Sequence, residues 1–182
     1  MKQALLVIDV QNDYFDGGKM PLSNPESALS NINLLENKFR AQKLPIIYIQ
    51  HIKHMKNADF FEAGTIGANL HKNLTVDCDD IIIEKHFPNS FLETNLLETL
   101  QNLEIEQLVI TGMMTHMCVD STTRAARELG FQPILVSDST ATKALEFDEK
   151  LVKSDDVQAS FLAALSNFAT VVATKEALNM IK

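Results

Sequence analysis

The chain has 182 residues, 46% of them hydrophobic and 22% charged, the balance of an ordinary globular protein and not of a disordered one. One domain spanning 1–182 is expected, long enough to bury roughly 70% of its unfolded surface without disulfide staples. The formal charge of −8 argues against nucleic acid or an anionic membrane as partner, because phosphate-rich surfaces need a positive footprint.

Two cysteines, Cys78 and Cys118, are too few for a disulfide framework. The apolar runs at 4–8, 81–83 and 134–136 fall far short of the roughly 18 residues of a membrane span. The chain opens on a strand-like run with no signal-type apolar region, so a reducing, cytoplasmic setting is expected. The Asn73-Leu74-Thr75 triplet is then a chance match to a glycosylation acceptor.

Residues 4–10 (ALLVIDV) form a continuous apolar run broken by Asp9, as suits a strand buried on both faces. Asn24-Pro25-Glu26 reads as a helix start, and Ile32, Leu35 and Phe39 carry helical spacing to about Lys43. Residues 45–50 (PIIYIQ) are the second strand. Residues 51–80 show no period and include three histidines and a Gly64-Thr65-Ile66-Gly67 turn signal, which fits a lid or binding loop, or one or two short helices. Residues 81–85 are the third strand. Ser90-Phe91-Leu92-Glu93 fits a capping box ahead of Leu96, Leu97, Leu100 and Leu103. A fourth strand at 107–111, a helix at 117–129 closed by Gly130, and a fifth strand at 131–137 follow. A long helix is predicted at 148–168, a sixth strand at 170–173 and a last helix at 175–181. Strands alternating with helices predict an α/β fold: an open, three-layer sheet of six parallel strands with right-handed crossovers.

In such sheets ligands bind beyond the carboxyl ends of the strands. Asp9 ends the first strand, Lys85 ends the third, and Cys118 follows the fourth at the start of a helix. Each has a plain structural reading: a loop-capping carboxylate, a solvated lysine, a small buried hydrophobe. Together they read as a general base, a charge partner and a nucleophile. The helix start and the lysine should both favour a thiolate at Cys118. Cys78 lies among acids (DCDD), which raise a thiol's pKa, so it is expected to be inert. Gln11, Tyr14, Phe15, His51, Phe87, Ser90, Phe91, Thr115 and His116 are expected near the strand ends as substrate contacts. An apolar rim with one or two polar anchors suits a small neutral ligand better than a phosphorylated one.

Three stretches carry a resemblance: residues 4–13 (ALLVIDVQND), 85–91 (KHFPNSF) and 108–130 (LVITGMMTHMCVDSTTRAARELG). Together they resemble the isochorismatase-like cysteine hydrolase superfamily, which includes nicotinamidases, N-carbamoylsarcosine amidases, ureidoacrylate and biuret amidohydrolases, and streptothricin hydrolase. The resemblance implies a Rossmann-like sheet of strand order 3-2-1-4-5-6 and a catalytic triad of Asp9, Lys85 and Cys118. It further implies a cis peptide at Met113–Met114, with the backbone N–H groups of Met114 and Cys118 as the oxyanion hole. The implied activity is hydrolysis of a C–N bond in a small amide, ureide or lactam through a Cys thioester, in a homodimer or homotetramer without a cofactor.

Metal-dependent nicotinamidases of this family carry an Asp-x-His after strand two, where this chain reads Gln50-His51-Ile52-Lys53-His54. No metal is therefore expected, although His51, His54 and His71 remain as loose ligand candidates. Isochorismatases proper cleave a vinyl ether and lack the cysteine, so Cys118 favours C–N chemistry over ether hydrolysis. A nucleotide-binding module would need a glycine-rich turn after strand one, and residues 9–13 (DVQND) have no glycine. A non-catalytic binding or scaffold protein on the same fold is the other reading, and fold alone does not decide against it.

Overall fold

The computed structural model describes residues 1–182. In chain order the elements are β1 (Gln3–Ile8), α1 (Pro25–Ala41), β2 (Ile46–His51), β3 (Ile81–Lys85), α2 (Leu96–Asn102), β4 (Gln107–Met113), α3 (Asp120–Glu128), β5 (Gln132–Ala141), β6 (Leu145–Phe147), β7 (Lys150–Val152), α4 (Ser154–Leu165), β8 (Thr170–Val172) and α5 (Thr174–Met180). Six strands form one sheet in the order β3-β2-β1-β4-β5-β8, every pair parallel. This is the predicted order, with β8 as the sixth strand of the sheet.

All six residues of β1 are buried, because the strand is central and helices cover both faces. The two-residue period of the strands divides the core. Leu5, Val7, Tyr48, Val109, Ile134 and Val136 pack with Leu29, Ile32 and Phe39 of α1 and Ala177 of α5. Ala4, Leu6, Ile8, Ile47, Ile49, Leu108 and Ile110 pack on the other face with Leu100 of α2, Ala126 of α3 and Leu165 of α4. No helix is long and apolar enough to cross a membrane.

Several sequence expectations are corrected. The helix predicted from residue 148 starts at Ser154, and residues 145–152 instead form the antiparallel β6–β7 hairpin. Asp148 and Glu149 both take positive φ (50° and 61°), the conformation a two-residue hairpin turn requires. Ser90 does not open α2. Its Oγ lies 2.8 Å from Thr122 Oγ1, tying the loop to α3, and α2 begins at Leu96. The helix predicted at 117–129 is a π-helical turn at Thr115–Val119 that passes into α3. Strand five runs on to Ala141.

Past His51, which closes β2, the segment to residue 80 holds one short helical element, the 3-10 turn Ile66–Ala68, and isolated bridges at Lys53–Glu62 and Gln11–Leu70. Polar side chains reaching from the first loop hold it in place. Gln11 donates to the His51 and Ala68 carbonyls and accepts from the His51 N–H. The buried Asp13 carboxylate accepts from Phe61 N at 2.7 Å and Lys19 N at 3.1 Å.

One glycine is dictated by the approach of β1 to β4. Gly112 has φ +116°, and a Cβ there would lie 2.0 Å from the Ile8 carbonyl oxygen. Gly112→Ala is expected to destabilise the fold by about 3 kcal/mol or more, as backbone strain and overpacking act together. Urea denaturation measures this, and a midpoint equal to that of the native chain would refute it.

Candidate active site

Asp9 stands one residue past β1 with φ +51°. Aspartate tolerates this left-handed conformation better than most residues, and it turns the chain sharply at the carboxyl edge of the sheet. Lys85 ends β3, two strands away, across from His51 at the end of β2. Cys118 lies in the π-helical turn that leads from β4 into α3, and single π turns of this kind recur at functional sites. The peptide bond Met113–Met114 is cis.

These elements bring the three predicted side chains together. Lys85 and Asp9 are fully buried, and Cys118 is 3% exposed. Lys85 Nζ lies 2.8 Å from Asp9 Oδ2 and 3.2 Å from Cys118 Sγ. It also lies 3.0 Å from the Phe87 carbonyl and 3.0 Å from His51 Nδ1. Four acceptors thus surround an ammonium with three protons. Because the ammonium only donates, His51 Nδ1 accepts, and the ring carries its hydrogen on Nε2. Asp9, His51 and Cys118 each offer one atom to a set within 4.8 Å of one another. The ammonium holds Asp9 as an ion contact, and neither carboxylate oxygen accepts a well-aligned hydrogen bond.

Charge is distributed in a definite way. Burial pushes the Asp9 carboxyl up, but the Lys85 ammonium, helped by the Cys118 thiol, outweighs it and holds the group below the ordinary range. Burial pushes Lys85 down, and the Asp9 and Cys118 charges reverse this and hold it above the ordinary lysine value. For Cys118, burial dominates and the Asp9 charge adds to it, so the thiol is pushed well up despite Lys85. Against the expected anionic sulfur, burial in this site favours the neutral thiol beside the carboxylate and the ammonium. Cys78 is exposed, and its hydrogen bond with Asp77 and the charge of Asp79 raise it, as its acidic neighbours predicted.

A cavity of about 230 Å³ opens beside Cys118. Tyr14, Phe60, Pro88, Met114 and Met117 form its apolar walls, while His51, Lys53 and His86 supply the polar groups. Its volume falls below the roughly 300–1,000 Å³ of drug-sized sites, so it suits a small ligand. Of the predicted contacts, His51 and Tyr14 line it. The rest stand elsewhere. Gln11 is a buried clamp on the 51–80 segment, and Phe15 stacks on His71 at 4.1 Å. Phe87 contributes its carbonyl to Lys85, and Phe91 stacks on Phe131. Thr115 is buried in the π turn, and His116 Nδ1 lies 2.5 Å from Thr142 Oγ1. Sequence reasoning missed Lys53, Phe60, His86, Pro88 and Met117. Lys53 sits 3.5 Å over the Phe60 ring and pairs with Asp59 at 2.5 Å. The three loose histidine candidates do not cluster: His51 is in the buried site, His54 is at the surface beside Glu84, and His71 is against Phe15.

The Isochorismatase domain model matches residues 3–176. The chain is 42% identical to the isochorismatase family protein YddQ of Bacillus subtilis over 97% of this chain and 98% of that protein. A solved structure from Oleispira antarctica superposes with a TM-score of 0.95 at 40% identity, covering 98% of this chain and 96% of that one. Nicotinamidase 3 of Arabidopsis thaliana is 28% identical over 81% of this chain and 75% of its own length. The ureidoacrylate amidohydrolase RutB of Pseudomonas syringae is 27% identical over 81% and 74%. A family model spanning nearly the whole chain, and a YddQ match covering both proteins end to end, place it in the isochorismatase family, among the isochorismatase-like cysteine hydrolases.

Proposed function

We propose that the protein is an amidohydrolase that cleaves the C–N bond of a small amide, ureide or lactam with Cys118 as nucleophile. The observation that carries this reading is the contact of one buried ammonium with both the Asp9 carboxylate and the Cys118 sulfur at the floor of a small cavity. The relatives named as a nicotinamidase and a ureidoacrylate amidohydrolase support the substrate class.

In this scheme the substrate carbonyl lies over Cys118 Sγ. Asp9 accepts the thiol proton as Sγ bonds to the carbonyl carbon. The oxyanion is held by the backbone N–H groups of Met114 and Cys118, each such donor contributing about 3 kcal/mol to the transition state. As the C–N bond breaks, the proton passes from Asp9 to the departing nitrogen, which leaves as ammonia or an amine. Water then gives a proton to Asp9 and attacks the thioester, and Sγ takes that proton from Asp9 as it leaves as the thiol, restoring the carboxylate. Lys85 stays protonated throughout and compensates the charge on Asp9 and sulfur.

The test is a screen for ammonia or amine release over small amides, ureides and lactams, run beside a Cys118→Ala control. Cysteine-dependent release supports the proposal, and release that survives in the control refutes it.

A pH profile gives a second check. The reactive form needs Asp9 ionised, and that group is held low, so the acid limb falls below the ordinary aspartate range. It also needs a protonated Lys85 and a protonated thiol, both held high, so the alkaline limb lies beyond the ordinary thiol range. kcat/KM, which reports the free enzyme, is therefore expected to be flat from about pH 5 to about pH 9. A bell centred near neutrality would contradict this charge assignment.

A further inference from the structure

Outside the buried trio, one more set of ligating side chains converges. His54, Glu84 and His86 each present one donor atom, and the three atoms lie within 4.8 Å of one another. Glu84 and His86 stand two residues apart at the end of β3, the edge strand, on either side of the inward-facing Lys85. His54 comes from the chain leaving β2, the strand paired with β3. His54 Nε2 is 3.1 Å from Glu84 Oε1, and His86 Nε2 is 3.8 Å from the same oxygen.

Two features set this group apart from a surface ion pair. His86 Nδ1 lies 2.9 Å from the Ile52 carbonyl oxygen, which can only accept, so Nδ1 donates its hydrogen there. That bond fixes the ring and its tautomer and turns Nε2 toward the cluster, as the outer hydrogen bond of a metal-bound imidazole does. When the ring is neutral, its Nε2 lone pair faces a carboxylate oxygen, and two facing acceptors are stabilised by a cation between them. The spacing also fits. Donors about 2.0–2.1 Å from a tetrahedral zinc ion stand about 3.3 Å apart, and the observed 3.1 and 3.8 Å bracket that value.

We infer that His54, Glu84 and His86 form a binding site for a first-row divalent transition metal, with zinc the best match to two imidazoles and a carboxylate. The site stands at the mouth of the Cys118 cavity, because His86 lines both. Three protein donors leave a fourth position for water or a ligand atom. On binding, His54 presents the Nε2 lone pair and carries its hydrogen on Nδ1.

Calorimetric titration of zinc chloride into the full chain, free of any affinity tag, tests the inference. His54→Ala, His86→Ala and Cys118→Ala are titrated in parallel. The cysteine variant is needed because Asp9, His51 and Cys118 also present three donor atoms within 4.8 Å. The side chains of His54 and His86 are 66% and 43% exposed, so their removal leaves the core intact, which far-UV circular dichroism verifies. The expected result is saturable uptake of one zinc per chain, weakened about tenfold or more by either histidine change and retained in Cys118→Ala. No saturable uptake at millimolar zinc, uptake indifferent to both histidine changes, or uptake lost in Cys118→Ala would each overturn it.

Discussion

If the proposed chemistry holds, Cys118→Ala is expected to reduce turnover on the amide-type substrate by about 10⁴-fold or more, the scale seen when a covalent nucleophile is removed. The fold should survive. Cys118 is a small side chain within a core cluster, and deleting its sulfur to leave a methyl costs only about 1 kcal/mol. Cys118→Ser should be nearly as inactive: it keeps a nucleophile of similar shape but replaces a thiol by a far weaker acid. Steady-state assays with unfolding curves separate the two effects. Activity in either variant near that of the native chain would remove the covalent mechanism while leaving the fold untouched. Mass spectrometry of the native enzyme quenched during turnover should show an acyl adduct on Cys118 and none on Cys78, which lies in an acidic surface loop.

The second large effect concerns Asp9 and Lys85. Both are fully buried and 2.8 Å apart, so removing either charge strands the other in a low-dielectric interior. Lys85→Met and Asp9→Asn are each expected to destabilise the chain by about 3–5 kcal/mol, the cost of breaking a buried pair from one side. The double variant should recover a large part of that loss, because it leaves no uncompensated charge, yet it should remain inactive. Urea denaturation of the singles and the double measures the coupling directly. Additive losses would mean that the two groups do not stabilise one another. Inactivity of a well-folded double variant would show that the pair serves chemistry more than stability.

The reach of the sequence differs from place to place, for physical reasons. Central strands were legible because burial on both faces demands apolar runs such as 4–8 and 108–110, which little else produces. Asp9, Lys85 and Cys118 stood out because polar or reactive groups at the ends of such runs are costly unless used or paired. The β6–β7 hairpin was hidden because Asp148-Glu149 is not a customary turn pair, and Leu151 fits a helical stripe as well as a strand. Both hairpin residues Phe147 and Leu151 are largely exposed, so burial gave no signal there either. The cavity walls were the least legible part. Phe60 and Lys53 come from the 51–80 segment, whose path is set by long-range hydrogen bonds from Gln11 and Asp13 and not by local period. His86 and Pro88, by contrast, were within reach, since they flank Lys85 in the KHFP stretch and follow its strand to the same edge.

The four acceptors around Lys85 Nζ have an implication for the speed of the proposed reaction. Sulfur and carboxylate already touch the same cation, so shifting a proton from one to the other displaces a unit of negative charge by only a few ångströms around a stationary counter-ion. No side chain has to swing and no solvent shell has to rebuild when the charge moves, so the reorganisation energy that slows the same proton shift in water is largely settled when the chain folds.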